Sequence, residues 1–183
     1  GRLVNNLIKF GYKPRTEGEV RKLLATFTGV ESENIIKFPW MPGERTGHVD
    51  MYIGNIDSNV VAIPYIPTAV IELLGYMHER IFAEATNAWL NERVSDLKSK
   101  GIVVARVPML APKNLVPSKL SEFGYDAQFL TPVNWAIQNN TVFIPTFKKY
   151  FEMIPVELAT TMHGEIESVL KTYGLIARFI EAE

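Results

Sequence analysis

The feature that most constrains the fold is an internal repeat with a period of about 80 residues. The tripeptides Ala62-Ile63-Pro64 and Phe143-Ile144-Pro145 occupy the same place in two units of one pattern. Each unit contains a strand, a turn, a strand that ends in Ile-Pro, a helix, a glycine and a further strand. Such units cannot bury their apolar faces alone, so they stack or close around an axis. The repeat therefore predicts a single mixed α/β domain.

The chain accommodates three such units, over residues 1–39, 48–108 and 132–182. The first begins with a clipped strand and continues into a helix over residues 16–28. Thr16 and Glu19 have the spacing of a capping box, and Gly29 is suited to end the helix. A strand over residues 34–38 should complete this unit.

The other two units carry stronger signals. We expect a hairpin of strands 48–54 and 60–64 around the turn 55–59, then a helix over 68–98 that Gly75 can interrupt, and a strand over 102–108. The third unit should contain strands 132–138 and 141–145 around Asn139-Asn140, a helix over 156–173 and a strand over 175–181.

Anchoring the alignment on the Ile-Pro pairs makes Asp50 and Asn134 repeat equivalents, if the first turn is three residues longer than the second. In a ring of units, equivalent positions converge and would line a central pocket. A carboxylate there suits a planar cation such as a guanidinium, which forms bidentate charge-assisted hydrogen bonds. On a strand, His48 and Asp50 would point the same way and could contact one ligand.

Composition excludes several classes of function. A formal net charge of -1 and the lack of a Lys/Arg cluster argue against a nucleic-acid surface, so a small or peptide ligand is favoured. The sequence shows no apolar run of about 18 residues and no signal-peptide pattern, which predicts a cytoplasmic protein without a membrane partner. The absence of cysteine excludes a thiol nucleophile within these residues.

The remaining histidines, loop charges and tryptophans have ordinary interpretations. His78 and His163 lie in helical patterns and are expected at a partly exposed surface, and no histidine spacing indicates a metal site. Glu44 and Arg45 are expected to form a solvated pair in a loop. The tryptophans are expected to pack in the interior, although Trp135 follows Asn134 and could shape the rim of a pocket.

The segment TGHVDM (residues 46–51), with Asn134 ahead of the last hairpin, resembles the agmatine deiminase and bacterial-type peptidylarginine deiminase family. The resemblance implies the pentein fold, a five-bladed α/β propeller of ββαβ units, of which about three blades would be present. It also implies attack of a cysteine thiolate on a guanidinium carbon, without a cofactor. His48 would be the general acid/base, Asp50 would hold the guanidinium, and Asn134 would lie at the substrate pocket.

Two family features lie outside these residues: the Gly-Gly-x-His-Cys segment with the nucleophile, and an acidic substrate-binding residue that would precede Gly1. We therefore expect a fragment of a longer deiminase, with a non-catalytic pentein-type binding scaffold as the alternative. An incomplete ring leaves open strand edges, which predicts a companion segment or self-association.

Overall fold

The computed structural model describes residues 16–181, which divide into two compact units. The smaller unit contains residues up to Trp40 together with Thr46–His48, and the larger contains Met41–Arg45 and the chain from Val49 onward. The first strand predicted from the sequence, and the last residue of the third repeat, lie outside the described residues.

The described residues form five helices, eight strands and two short 3-10 helices. The helices are α1 (Glu17–Thr28), α2 (Thr68–Glu72), α3 (Met77–Ser99), α4 (Lys148–Phe151) and α5 (Val156–Thr172). The strands are β1 (Gly54–Asp57), β2 (Val60–Tyr65), β3 (Val103–Pro108), β4 (Lys113–Pro117), β5 (Tyr125–Gln128), β6 (Ala136–Gln138), β7 (Thr141–Thr146) and β8 (Ile176–Glu181). The 3-10 helices are Ser32–Asn34 and Val49–Met51.

The smaller unit is built on helix α1, which has the predicted end signals. The Thr16 hydroxyl accepts from the Glu19 amide while the Glu19 carboxylate accepts from the Thr16 amide, and Gly29 ends the helix with φ 70°. The strand predicted over residues 34–38 is wrong, because Ser32–Asn34 is a 3-10 helix and residues 35–48 contain no helix or strand. The Ile35 carbonyl accepts instead from the Arg21 guanidinium at 2.7 Å.

The larger unit confirms the ββαβ pattern twice. In each copy an antiparallel hairpin is followed by a helical crossover to a parallel strand, giving the sheet orders β1-β2-β3 and β6-β7-β8. The crossover between β2 and β3 is broken into α2 and α3 around Gly75, as the sequence predicted. The hairpin β4-β5 and the short helix α4 were not predicted.

The two three-stranded sheets share one apolar core with helix α5. This core contains buried residues from both sheets, from the approach to β6 and from α5: Ile56, Ala62, Ala105, Val107, Val133, Val142, Ile144, Ile166 and Leu170. Among the described residues no sheet closes on itself. The observed architecture is thus a mixed α/β fold of small open sheets.

No helix among the described residues is both long enough and apolar enough to cross a membrane.

Candidate functional site

His48 and Asp50 do not lie on a strand, contrary to the sequence prediction. Strand β1 begins only at Gly54, and Asp50 is the middle residue of the 3-10 helix Val49–Met51. The amides of Tyr52 and Ile53 both donate to the Val49 carbonyl, at 3.0 and 2.9 Å. Because these donors are used locally, the segment turns before it can enter the sheet.

His48 belongs to the smaller unit and is exposed. Its neighbour Gly47 has φ 67°, a conformation that favours glycine. A β-carbon at Gly47 would lie 3.5 Å from the Trp40 ring, so the backbone before His48 runs along that ring. Trp40 is itself largely exposed, which differs from the packing role predicted for it.

Asp50 belongs to the larger unit, and the residues after it are fixed by burial. Tyr52 is buried with its ring edge-on to Trp89 at 4.9 Å between centroids. Burial raises the pKa of Tyr52 to about 12; Arg93 opposes this rise and Glu44 adds to it. Tyr52 is therefore a neutral anchor for the 3-10 helix that carries Asp50.

Asn134 lies beside this segment in the folded larger unit. Its side-chain amide donates to the Met51 sulfur at 3.9 Å, across 83 residues of sequence. Asn134 is exposed and occupies a bend just before β6, so it is not on a strand, although the sequence predicted a strand over residues 132–138. The structure thus places Asn134 against the residue that follows Asp50.

A close contact between β1 and the approach to β6 fixes that arrangement. The Trp135 indole N–H donates to the Asn55 carbonyl at 2.9 Å. The Trp135 ring covers Gly54 so closely that a β-carbon there would lie 2.8 Å from the ring and 2.8 Å from the Val133 carbonyl oxygen. Only glycine allows this approach, and Trp135 has the packing role that the sequence predicted.

The strand pairing corrects the alignment of the two repeats. Residues 55–57 belong to β1, and the turn consists of Ser58 and Asn59 rather than the predicted residues 55–59. Gly54 pairs with Ala62 and Ala136 pairs with Phe143, both directly before the Ile-Pro pairs. Counting back two residues makes Tyr52 the equivalent of Asn134. Asp50 and Asn134 are thus not repeat equivalents, and the observed contact of Asn134 is with Met51, the residue after Asp50.

The loop before the motif is fastened to the unpredicted hairpin. Gly43 has φ 81°, and a β-carbon there would lie 2.7 Å from the Phe82 ring. Its carbonyl accepts from the Ala127 amide at 2.9 Å, and Arg45 pairs with Asp126 at 3.4 Å. Glu44 is only 7% exposed, so the solvated Glu44-Arg45 pair expected from the sequence is wrong.

His163 is partly exposed, as the sequence predicted, but its surroundings are aromatic. Its ring lies between those of Phe151 and Phe179, at 4.8 and 4.3 Å, and its Nε2 atom is buried with no hydrogen-bond partner among the described residues. Burial lowers the pKa of His163, and Glu167 partly offsets this. Within residues 16–181 no three His, Asp or Glu side chains are grouped to hold a metal ion.

Comparisons with known proteins give matches at the level of structure. No protein-family model and no curated protein matches the sequence. A C. jejuni agmatine deiminase aligns with a TM-score of 0.55 and 17% identity over 95% of this chain and 43% of its own. A cysteine-to-serine variant of C. jejuni agmatine deiminase with substrate bound aligns with a TM-score of 0.53 and 18% identity over 92% of this chain and 41% of its own.

A third similar structure, described as a candidate peptidyl-arginine deiminase, aligns with a TM-score of 0.55 and 13% identity over 91% of this chain and 43% of its own. The chain thus spans less than half the length of each of these structures. At such low identity the likeness establishes the fold. The resemblance read from the TGHVDM segment is confirmed at that level: the chain has the fold of part of the agmatine deiminases.

Proposed function

We propose that the protein containing these residues is a deiminase, a hydrolase that acts on the guanidino group of agmatine or of peptidyl arginine. The observation that carries the proposal is the contact of Asn134 with Met51. It joins two parts of the family motif set that are far apart in sequence. The likeness to a substrate-bound agmatine deiminase over most of the chain supports the same function.

The proposed chemistry assigns one step to each motif residue. Asp50 binds the guanidinium, because a carboxylate pairs bidentately with that planar cation. A cysteine outside these residues adds to the guanidinium carbon as a thiolate, and His48 protonates the departing nitrogen so that ammonia leaves. His48 then takes a proton from water, which attacks the covalent intermediate and releases the ureido product and the thiolate.

Asn134 is proposed to lie at the substrate pocket. Its amide is held at Met51 by the contact between Trp135 and Gly54, so its position relative to the 3-10 helix of Asp50 is set by packing. A neutral amide beside a carboxylate adds hydrogen bonds to a bound cation without adding charge. No cofactor takes part in this chemistry, and the proposed location is the cytoplasm.

Binding of agmatine to the full encoded protein tests the role of Asp50. Asp50→Asn removes the charge and keeps the shape, and we expect at least a tenfold weaker affinity, since a hydrogen bond to a charged group contributes about 1.5–3 kcal/mol. Asp57→Asn is the matched control, because Asp57 is also an exposed carboxylate and lies at the far end of β1. Equal affinities of the two variants for agmatine would mean that Asp50 does not bind the guanidinium.

The second candidate is a non-catalytic pentein-type scaffold that binds a partner. It is favoured by the absence of cysteine from all 183 residues. The encoding gene separates the two functions. A reading frame that continues past Glu183 into a Gly-Gly-x-His-Cys segment supports the deiminase, and one that encodes no such cysteine supports the scaffold.

A further inference from the structure

A second candidate site lies at the carboxyl end of β2 and is lined by none of the motif residues. It is a surface depression of about 510 Å³ that lies within the larger unit. The residues that line it come from the end of β2, from α2, α3 and β3: Tyr65, Ile66, Thr68, Asn87, Asn91 and Arg106. This volume is in the range of sites for small molecules.

The charge in this depression comes from Arg106. Its guanidinium carbon lies 5.7 Å from the centroid of the Tyr65 ring, and burial lowers the pKa of Arg106. No carboxylate lines the depression, and the Arg106 guanidinium has no ion-pair or hydrogen-bond partner within the part of the chain that the structure describes. A half-buried guanidinium normally has an anionic partner, because removing its charge from water is costly.

Some of the surrounding polar groups already form hydrogen bonds within the protein, and others are available to bind a ligand. The Tyr65 hydroxyl donates to Glu165 at 2.6 Å, and the Asn87 side chain exchanges two hydrogen bonds of 2.8 Å with the Ile66 backbone. These bonds hold the rim in place. The Thr68 hydroxyl and the Asn91 carboxamide have no hydrogen bond to other described residues, so both can donate to a ligand.

We propose that this depression binds an oxyanion, a phosphate or a carboxylate group, with Arg106 as its principal ligand. The planar fork of the guanidinium matches two oxygens of such a group, and the Tyr65 ring lies on one side of the guanidinium. Thr68 and Asn91 supply further donors. This site would be separate from the proposed guanidino site, whose motif residues take no part in it.

Nuclear magnetic resonance titration of the full chain tests this site with two probes. Inorganic phosphate and acetate are added separately at constant ionic strength while the side-chain N–H signals of Asn91 and Arg106 are followed. We expect saturable shifts for at least one anion, and the one that binds identifies the ligand as a phosphate or a carboxylate. Shifts that fail to saturate for both anions would overturn the proposal.

Variants place the binding at Arg106. Arg106→Gln should weaken the affinity at least tenfold, whereas Arg178→Gln should leave it unchanged. Arg178 is a matched control because it also lies over an aromatic ring, 6.0 Å from the Phe143 centroid, but is exposed and outside the depression. Unchanged affinity in Arg106→Gln would overturn the assignment.

A second variant covers the case in which Arg106→Gln does not fold. Asn91→Asp introduces a carboxylate at an exposed position of α3, where it should repel an anion without disturbing the core. We expect at least tenfold weaker binding, and unchanged affinity would again contradict the site.

Discussion

At the scale of single residues, Gly54 fixes the geometry that the proposed site depends on. The Trp135 ring and the Val133 carbonyl both lie 2.8 Å from the position that a β-carbon on Gly54 would take. We therefore expect Gly54→Ala to lower the free energy of unfolding by about 1–3 kcal/mol, the usual cost of overpacking. Urea denaturation followed by tryptophan fluorescence measures this loss.

Gly164→Ala is the control for that substitution. Gly164 lies inside α5, and nothing lies within 4 Å of the position that its β-carbon would take. Alanine is the better helix former, so this variant should gain about 0.5–1 kcal/mol. Equal stability of the two variants would mean that Trp135 does not pack on Gly54.

His163 makes stability depend on pH. Its pKa is lowered in the folded state because the ring is partly buried between Phe151 and Phe179. The unfolded chain therefore binds the proton more readily, with a pKa of about 6.5, and the free energy of unfolding should fall as the pH drops below that value. Glu167 is the charged group that reduces this effect, and among the described residues that line the apolar cavity beside it, His163 is the only titratable one.

Urea titrations at a series of pH values between about 5 and 8 measure this dependence. The slope of the free energy of unfolding against pH should decrease in His163→Gln. It should persist in His78→Gln, since His78 is exposed. A slope that survives in His163→Gln would assign the pH dependence to other groups.

At the scale of elements, the sequence predicted the helices and strands whose bounds depend on local signals. Helix α1 was found because Thr16, Glu19 and Gly29 act within one helix, and the crossover helices were found from their periodicity. The start of β1 was missed because the alternation over residues 48–54 also fits a 3-10 turn whose amides bond to Val49. Hairpin β4-β5 was missed because its position is set by contacts with Gly43 and Arg45.

The proposed site also has one part that the sequence predicted and one part that depends on tertiary packing. His48, Asp50 and Asn134 were chosen from the sequence, whereas the contact of Asn134 with Met51 depends on Trp135, Gly54 and the core between two sheets. The burial of Glu44 could not be predicted, because it follows from the packing of the loop on Phe82 and β5. The positive φ of Gly43 is a local feature that contributes to this packing of the loop, and the sequence alone does not reveal it.

Helix α1 offers a direct test of an element predicted from its ends. The Thr16 hydroxyl accepts from the Glu19 amide at 3.3 Å, so Thr16→Ala should cost about 1 kcal/mol of helix stability. Amide hydrogen exchange over residues 17–28 should accelerate several-fold.

Thr26→Ala is the matched change in the interior of the same helix. The Thr26 hydroxyl donates to the Lys22 carbonyl at 3.0 Å without capping an end, and alanine is the best helix former. Exchange should therefore stay the same or become slower. Faster exchange in this variant alone would contradict the capping assignment.

At the scale of the whole molecule, the repeat of ββαβ units explains both the core and the likeness to agmatine deiminases. The two sheets have the same strand order and share a core with helix α5, yet within residues 16–181 each sheet is open. Open edges expose backbone groups that can pair with further strands. Completion of the sheets by a companion segment, or by a second copy of the chain, remains a prediction that light scattering can examine.

The most direct test of the central claim is ammonia release from agmatine and from arginine peptides. It compares the full encoded protein, its His48→Ala and Asp50→Ala variants, and residues 1–183 alone. We predict turnover by the full protein, a loss of at least about 10²-fold in each variant, and no release by the cysteine-free chain. Ammonia release by residues 1–183 alone, or full activity of the His48→Ala enzyme, would contradict the account.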